Sequence, residues 1–181
     1  MPIDFFTAPC TAANGNCKIP GVVCKNSTSN LEFGLCDDPP PPTLPAYMDM
    51  DLLNKSKWVA KVDNPDAKEI IFKAIDACVP ILRPNGEPES RCDGVLINGN
   101  KLTFVELKDR GSNGWIRKGR DQLISTYLVF KANYDVTKFV ITEAYVCNKQ
   151  VPLAVTSNLI HIQKVKDETG MLLKVDRKIP V

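Results

Sequence analysis

Three side chains near the middle of the sequence, Asp93, Glu106 and Lys108, could together perform metal-assisted hydrolysis. The last two belong to Glu106-Leu107-Lys108, an acid-x-lysine triplet that ends a strongly apolar run. A carboxylate and an ammonium at such a position face a core or a cleft, and burying either of them unpaired is costly. Two further copies have simpler explanations, at a predicted helix start and in the basic C-terminal segment: Asp66-x-Lys68 and Asp176-x-Lys178. The triplet at 106–108 is therefore the candidate site.

The spacing predicts that these three residues share one face of a β-hairpin. Asn98-Gly99 lies between two apolar runs of β-forming residues, and this dipeptide is the strongest short-range hairpin signal. Side chains alternate along a strand, so a two-residue turn at Asn98-Gly99 places Asp93 on the same face as Glu106 and Lys108. The two carboxyl groups are then one diagonal step, about 7–8 Å, apart. A three-residue turn would move Asp93 to the opposite face.

This trio suits a hard divalent cation. Two carboxylates with water make an oxygen-rich site for Mg²⁺ or Mn²⁺, and such an ion can activate a bound water and neutralise charge on a phosphate. Lys108 can orient that water or stabilise the negative charge of the transition state. The structural alternative is an internal ion pair of Lys108 with Glu106 or Asp93, although buried ion pairs are poor stabilisers.

Over residues 64–147 the arrangement resembles the PD-(D/E)xK nuclease superfamily. The resemblance implies a restriction-endonuclease-like α/β core, in which a helix, a three-strand meander, a second helix and a further strand build a mixed sheet. It implies that Asp93 and Glu106 bind the metal and that Lys108 assists the attacking water. It thus implies a metal-dependent nuclease that hydrolyses phosphodiester bonds, with a role in restriction, defence, repair or recombination.

The resemblance also implies supporting residues. The backbone carbonyl of Leu107 would complete the metal shell, Glu69 would add an acid from the first helix, and Gln122 would add a polar group from the second. Cys92 stands where the motif has proline, and Thr126 stands where one branch of the superfamily has a tyrosine four residues after the glutamine.

Hydrophobic periodicity and turn signals outline the elements that would position these residues. Asn64 and Pro65 are typical of a helix start, and a run of apolar residues at helical spacing follows. We expect a helix over 64–78, strands at 81–83, 92–97 and 100–108, a helix over 115–132, a strand at 138–146 and a final hairpin of 159–165 with 171–175.

Basic residues surround the start of the predicted second helix. Five bases fall within thirteen residues: Lys108, Arg110, Arg117, Lys118 and Arg120. Bases beside a metal site suit contact with phosphates, so we expect these residues to bind nucleic acid, with DNA favoured and RNA also open. The alternative is a non-catalytic module that binds nucleic acid or protein on the same fold.

Composition divides the chain into three parts. We assign residues 1–36 to a Cys-rich N-terminal extension, 37–47 to a Pro-rich linker and 48–181 to the nuclease-like α/β domain. The extension holds Cys10, Cys17, Cys24 and Cys36, whose spacings leave open free thiols, disulfides or, least favoured, a zinc site. This extension is a candidate surface for a protein partner.

Overall composition excludes several classes of protein. The chain has 181 residues, 44% hydrophobic and 24% charged, with a net charge of +2, which is typical of a globular domain. No apolar run approaches the ~20 residues of a membrane span, and the N-terminus has no basic n-region, so we expect a cytoplasmic protein without membrane contact. The one histidine argues against Ser-His or Cys-His catalysis. The oligomeric state stays open, with a homodimer as one option.

Overall fold

The computed structural model describes residues 3–6, 24–40, 44–109, 111, 113–150 and 158–181. Within them the chain forms two mixed β-sheets and two α-helices, so the protein is of the α/β class. The strands are β1 Lys25–Thr28, β2 Glu32–Cys36, β3 Tyr47–Asp49, β4 Ala60–Asp63, β5 Ile70–Ala74, β6 Gly94–Asn98, β7 Lys101–Lys108, β8 Glu143–Asn148, β9 Leu172–Lys174 and β10 Lys178–Pro180; the helices are α1 Trp115–Asn133 and α2 Leu159–Thr169, with 3₁₀ turns at Leu52–Lys57 and Val136–Lys138.

The larger sheet contains six strands in the order β1-β5-β6-β7-β8-β9. β1, β5, β6 and β7 pair antiparallel, whereas β8 and β9 join parallel to β7 and to each other. Parallel neighbours need a crossover connection, and α1 lies between β7 and β8 in the chain while α2 lies between β8 and β9. The smaller sheet has the order β10-β4-β2-β3.

The larger sheet is covered on both faces because its side chains alternate. On one face, Phe72, Val105 and Tyr145 belong to a buried cluster with Phe33 and Val62 of the smaller sheet. The opposite face belongs to a second cluster with the helices, which includes Val95, Phe104 and Val146 from the strands and Leu123 and Phe130 from α1. The result is a layer of helices, a six-stranded sheet and a four-stranded sheet, with two cores.

Several predicted elements are confirmed. The expected strands at 92–97 and 100–108 correspond to β6 and β7, and the expected helix over 115–132 corresponds to α1. β8 begins at Glu143, five residues later than predicted, because 136–138 form a 3₁₀ turn and Phe139 packs among aromatic rings. The predicted strand at 81–83 is wrong, since only an isolated bridge joins Leu82 to Pro88.

The predicted helix over 64–78 is wrong, because residues 70–74 form β5 between β1 and β6. Asn64 caps a turn instead of a helix: its Oδ1 accepts from the Lys68 amide at 3.1 Å, and its Nδ2 donates to the Lys68 carbonyl at 2.8 Å. Ala67 takes a left-handed conformation with φ +50°, which no helix start would allow. The three-strand meander is therefore β5-β6-β7, and a turn precedes it where the resemblance implied a helix.

The predicted tail hairpin is also wrong. Residues 159–169 form α2, and Val165 is buried against the core on the side of α1. Gly170 falls where the prediction placed the hairpin turn. It ends α2 in a left-handed conformation with φ +79°, and its amide donates to the Lys166 carbonyl at 2.9 Å.

Strands on both sides of the Pro-rich segment contribute to the two sheets. β1 and β2 come from the segment that composition assigns to the N-terminal extension. β1 pairs with β5 of the larger sheet, and β2 pairs with β3 and β4 of the smaller sheet. Cys24 is buried and disulfide-bonded, Cys36 is a buried free thiol, and Cys10 and Cys17 lie outside the described residues. A zinc site that used all four cysteines does not fit, because each ligand of such a site is a thiolate, whereas the sulfur of Cys24 is bonded in a disulfide.

Candidate active site

The hairpin turn lies one residue beyond its predicted position. Asn98 pairs with Lys101, so Gly99 and Asn100 form the two-residue turn, and Gly99 has φ +58°. A two-residue turn at Asn98-Gly99 would pair Ile97 with Asn100, whereas Ile97 pairs with Leu102. Moving the turn by one residue shifts the pairing by two positions and leaves the faces unchanged.

Asp93 lies just before β6, where the strand alternation directs it to the same face as Glu106. Its side chain is nearly buried, and Oδ2 accepts a hydrogen bond from the Leu107 amide at 2.5 Å. This bond ties the carboxylate to the middle of the acid-x-lysine triplet. Burial raises the pKa of Asp93 to about 7, and the negative charge of Asp37 adds to that shift.

Glu106 is fully buried beneath α1. One carboxylate oxygen, Oε1, forms an ion pair with Lys108 Nζ, whereas Oε2 has no hydrogen-bond partner among the described residues. Burial, and then the charge of Asp93, raise the pKa of Glu106 well above its ordinary value. The two carboxyl groups thus share a buried site in which the ammonium of Lys108 faces two acids, and burial favours the protonated form of each acid.

Lys108 and Gln122 close one side of the site. Lys108 Nζ donates to Gln122 Oε1 at 3.0 Å, and Gln122 Nε2 donates to the carbonyl of Arg91 at 2.8 Å. The Lys108 side chain is 12% exposed and Gln122 is half-buried, whereas Glu106 is fully buried, so solvent approaches the site from the side of Lys108 and Gln122. Gln122 was predicted from the sequence, whereas its anchor, Arg91, was not.

Gly119 lets α1 approach the sheet directly over Glu106. A Cβ at position 119 would lie 2.8 Å from Val146 Cγ1 and 3.1 Å from Glu106 Cγ, closer than carbon atoms normally pack. Sequence reasoning missed this residue, although a glycine inside a helix costs about 1 kcal/mol relative to alanine and so signals a close approach.

The remaining predicted residues lie away from this cluster or have other partners. Glu69 is exposed and lies just before β5. The residue of this segment that contacts the site is Ile75, whose amide donates to the Asp93 carbonyl at 2.8 Å. Glu69 precedes Ile75 by six residues, which is roughly 20 Å of extended strand, so Glu69 lies away from the cluster. Arg117 and Lys118 are exposed at the start of α1, and Arg110 lies outside the described residues. Arg120 is buried.

The partners of Arg120 explain its burial. Its guanidinium bonds Asp121 at 2.6 Å and 2.8 Å, and Nη1 lies 2.8 Å from His161 Nδ1 on α2. These contacts join the two helices, so Arg120 is not presented to a phosphate as the sequence predicted. Burial and the nearby Arg120 charge lower the pKa of His161.

The oxygen atoms of the site suit a small hard cation, but they are too few to fill its coordination shell. Asp93, Glu106 and the Leu107 carbonyl are oxygen ligands of the type that Mg²⁺ and Mn²⁺ prefer, and the unsatisfied Oε2 of Glu106 is an acceptor that a cation would engage. Across the described segments, no group of three or more His, Cys, Asp or Glu residues is placed to hold a metal. An ion here would therefore complete its shell with water.

Comparison with protein-family models, with curated proteins and with solved structures finds no match for this chain. Within the described part of the chain, no helix has both the length and the apolar character needed to cross a membrane.

Proposed function

We propose that this protein is a metal-dependent nuclease of the PD-(D/E)xK type that hydrolyses phosphodiester bonds, with DNA as the favoured substrate. The observation that carries the proposal is the state of Glu106. Its carboxylate is fully buried, faces the same side as Asp93, and keeps one oxygen without a hydrogen-bond partner among the described residues. A purely structural ion pair would satisfy both oxygens, because an unsatisfied buried acceptor is costly.

The charge balance supports the same function. With both carboxyl groups ionised, Asp93 and Glu106 carry two negative charges against the one ammonium of Lys108. Burial raises the pKa of both carboxyl groups; the charge of Asp37 adds to the shift of Asp93, and the charge of Asp93 adds to the shift of Glu106. A divalent cation would balance the excess negative charge, and when bound it would lower the pKa of a coordinated water and neutralise charge on the scissile phosphate.

Each residue of the cluster has a role in this scheme. Asp93, Glu106 and the carbonyl of Leu107 hold the ion. Lys108, oriented by Gln122, orients the attacking water or stabilises negative charge that develops on the phosphate. The topology around them also supports the proposal: an antiparallel meander, β5-β6-β7, is followed by α1 and by the parallel strand β8.

Substrate contact is assigned to the exposed bases at the start of α1. Arg117 and Lys118 lie within one turn of Gly119, which packs on Glu106, so a phosphate backbone that reaches the site would pass them. Contacts of this kind position nucleic acid without reading its sequence.

The test is cleavage of supercoiled plasmid, single-stranded DNA and RNA in Mg²⁺, Mn²⁺ or EDTA. We expect cleavage that requires metal and falls at least about a hundredfold in Asp93→Asn, Glu106→Gln and Lys108→Ala. Glu87→Gln, which neutralises an exposed loop carboxylate, is the matched control and should cut like the wild type.

Two outcomes would contradict the proposal. Metal-dependent cleavage that survives in Glu106→Gln would show that the nuclease site lies elsewhere. Binding of DNA by the wild type without cleavage of any substrate would favour the alternative, a non-catalytic binding module.

A further inference from the structure

One peptide unit beside the site is held at both of its polar groups by side chains of α1. Gln122 Nε2 donates to the carbonyl of Arg91 at 2.8 Å, and the amide of Cys92 donates to Thr126 Oγ1 at 2.8 Å. Those two backbone groups belong to the same peptide bond. Gln122 and Thr126 are one helical turn apart and project from the same side of the helix. The residue that follows this peptide is Asp93.

The Thr126 hydroxyl is oriented for this contact. It donates its one proton to the carbonyl of Gln122 at 2.8 Å, the bond that threonine often makes to the preceding turn of a helix. Only its lone pairs are then left for the Cys92 amide. Thr126 and Cys92 are both fully buried, so water does not replace the bond readily when it is lost.

The same turn of α1 also holds the ammonium of the site. Gln122 uses its amide nitrogen for Arg91 and its Oε1 for Lys108, at 3.0 Å. The helix thus sets the backbone before one carboxylate and the position of the ammonium at once. Gln122 touches Lys108 directly, whereas Thr126 reaches the site only through the backbone.

We propose that Thr126 is a positioning residue: its hydroxyl fixes the Arg91–Cys92 peptide, and thereby places the Asp93 carboxylate against Glu106 for binding a divalent cation. This inference rests on the proposed function. The Asp93 carboxylate accepts from the Leu107 amide and the Asp93 carbonyl accepts from the Ile75 amide, so the Thr126 contact adds a restraint on the residue that precedes Asp93. Loss of one restraint lets Asp93 move away from Glu106 and admits water.

The test compares Thr126→Val, which keeps the shape and removes the hydroxyl, with Thr126→Ser, which keeps the hydroxyl. We expect Thr126→Val to weaken Mn²⁺ binding, measured by calorimetry, about tenfold or more, and Thr126→Ser to bind close to the wild-type level. Amide hydrogen exchange of the folded protein without metal should show the Leu107 amide, which donates to Asp93 Oδ2, exchanging faster relative to the other amides of β7 in Thr126→Val alone. Thr103→Val removes a different buried hydroxyl and is the control.

The outcomes separate this inference from the proposed function. If Thr126→Val only unfolds more easily, with the Mn²⁺ affinity of the wild type and no selective change in exchange of the Leu107 amide, Thr126 is merely structural and the inference is wrong. If the wild type neither binds Mn²⁺ nor cuts nucleic acid, the nuclease proposal fails. The exchange of the Leu107 amide then decides alone: an unchanged rate overturns the positioning role, and selectively faster exchange in Thr126→Val supports it.

Discussion

Replacing Gly119 with alanine tests how tightly α1 must press on the buried Glu106. The added methyl would lie 2.8 Å from Val146 Cγ1 and 3.1 Å from Glu106 Cγ, whereas packed carbon atoms are about 3.5–4.0 Å apart. Val146 is β-branched and fully buried, so it cannot rotate away. The helix must therefore move outward by about 0.7 Å or more.

Two opposing terms set the size of the effect. Alanine favours the helix by about 1 kcal/mol over glycine, and overpacking a core costs about 1–3 kcal/mol. We expect Gly119→Ala to lower the free energy of unfolding by about 1 kcal/mol, which lowers Tm by about 2–4 °C for a chain of this size. Cleavage should fall further, by tenfold or more, because Gln122 and Thr126 move with the helix.

The assays are urea unfolding and metal-dependent cleavage of plasmid. Ser125→Ala, at a half-buried position of the same helix, is the control and should be slightly stabilising through helix propensity. A Gly119→Ala variant that is as stable as the wild type and cuts plasmid equally well would contradict this prediction, since α1 would then not rest on Glu106.

Three further predictions follow from the burial and charges described above. The pKa of Asp93 is raised to about 7 in the folded state, which favours the protonated form of this carboxyl group. The free energy of unfolding of the metal-free protein should therefore fall as pH rises from about 4 through 7, and it should fall less in Asp93→Asn. Gly34→Ala places a methyl 2.1 Å from Trp58 Cγ and should destabilise the smaller sheet by about 1–3 kcal/mol in urea unfolding. Removing both Arg117 and Lys118 should weaken DNA binding and reduce the slope of log K against log salt by about 1.8.

Each of these predictions has a clear contradiction. The pH prediction is wrong if stability between pH 5 and 8 changes equally in the wild type and in Asp93→Asn; the comparison is needed because the lowered pKa of His161 acts in the opposite direction. Wild-type stability of Gly34→Ala would contradict the second. For the third, Lys131→Ala at the far end of α1 is the control, and an equal loss of affinity there would show that the basic start of the helix has no special role.

The hairpin and α1 were predictable because local signals and tertiary packing agree there. Asn98-Gly99-Asn100 favours a tight turn wherever it occurs, and the apolar positions of α1 at helical spacing face the core. The side chains were assigned to the correct faces of the hairpin although the predicted turn was one residue off, because that difference shifts the strand pairing by two positions. The convergence of Asp93, Glu106 and Lys108 on one side of the sheet was therefore predictable from the order of residues alone.

Other elements depend on contacts that are distant in sequence. Ile70 to Ala74 could continue a helix by spacing, but the strand gains partners on both edges, β1 and β6, and burial on the smaller sheet. In α2 the apolar run from Leu159 to Ile162 favours a strand locally, and packing of Val165 decides for a helix. The backbone anchors of Gln122 and Thr126 lie 31 and 34 residues away in the chain, so no local pattern indicates them.

The most direct test of the account is anomalous diffraction from crystals of this protein soaked in Mn²⁺. We expect one strong manganese peak within about 2.0–2.3 Å of an Asp93 oxygen, of Glu106 Oε2 and of the Leu107 carbonyl, with no such peak in Glu106→Gln. A structure in which manganese binds elsewhere or nowhere, while Glu106 stays closed on Lys108, would contradict it.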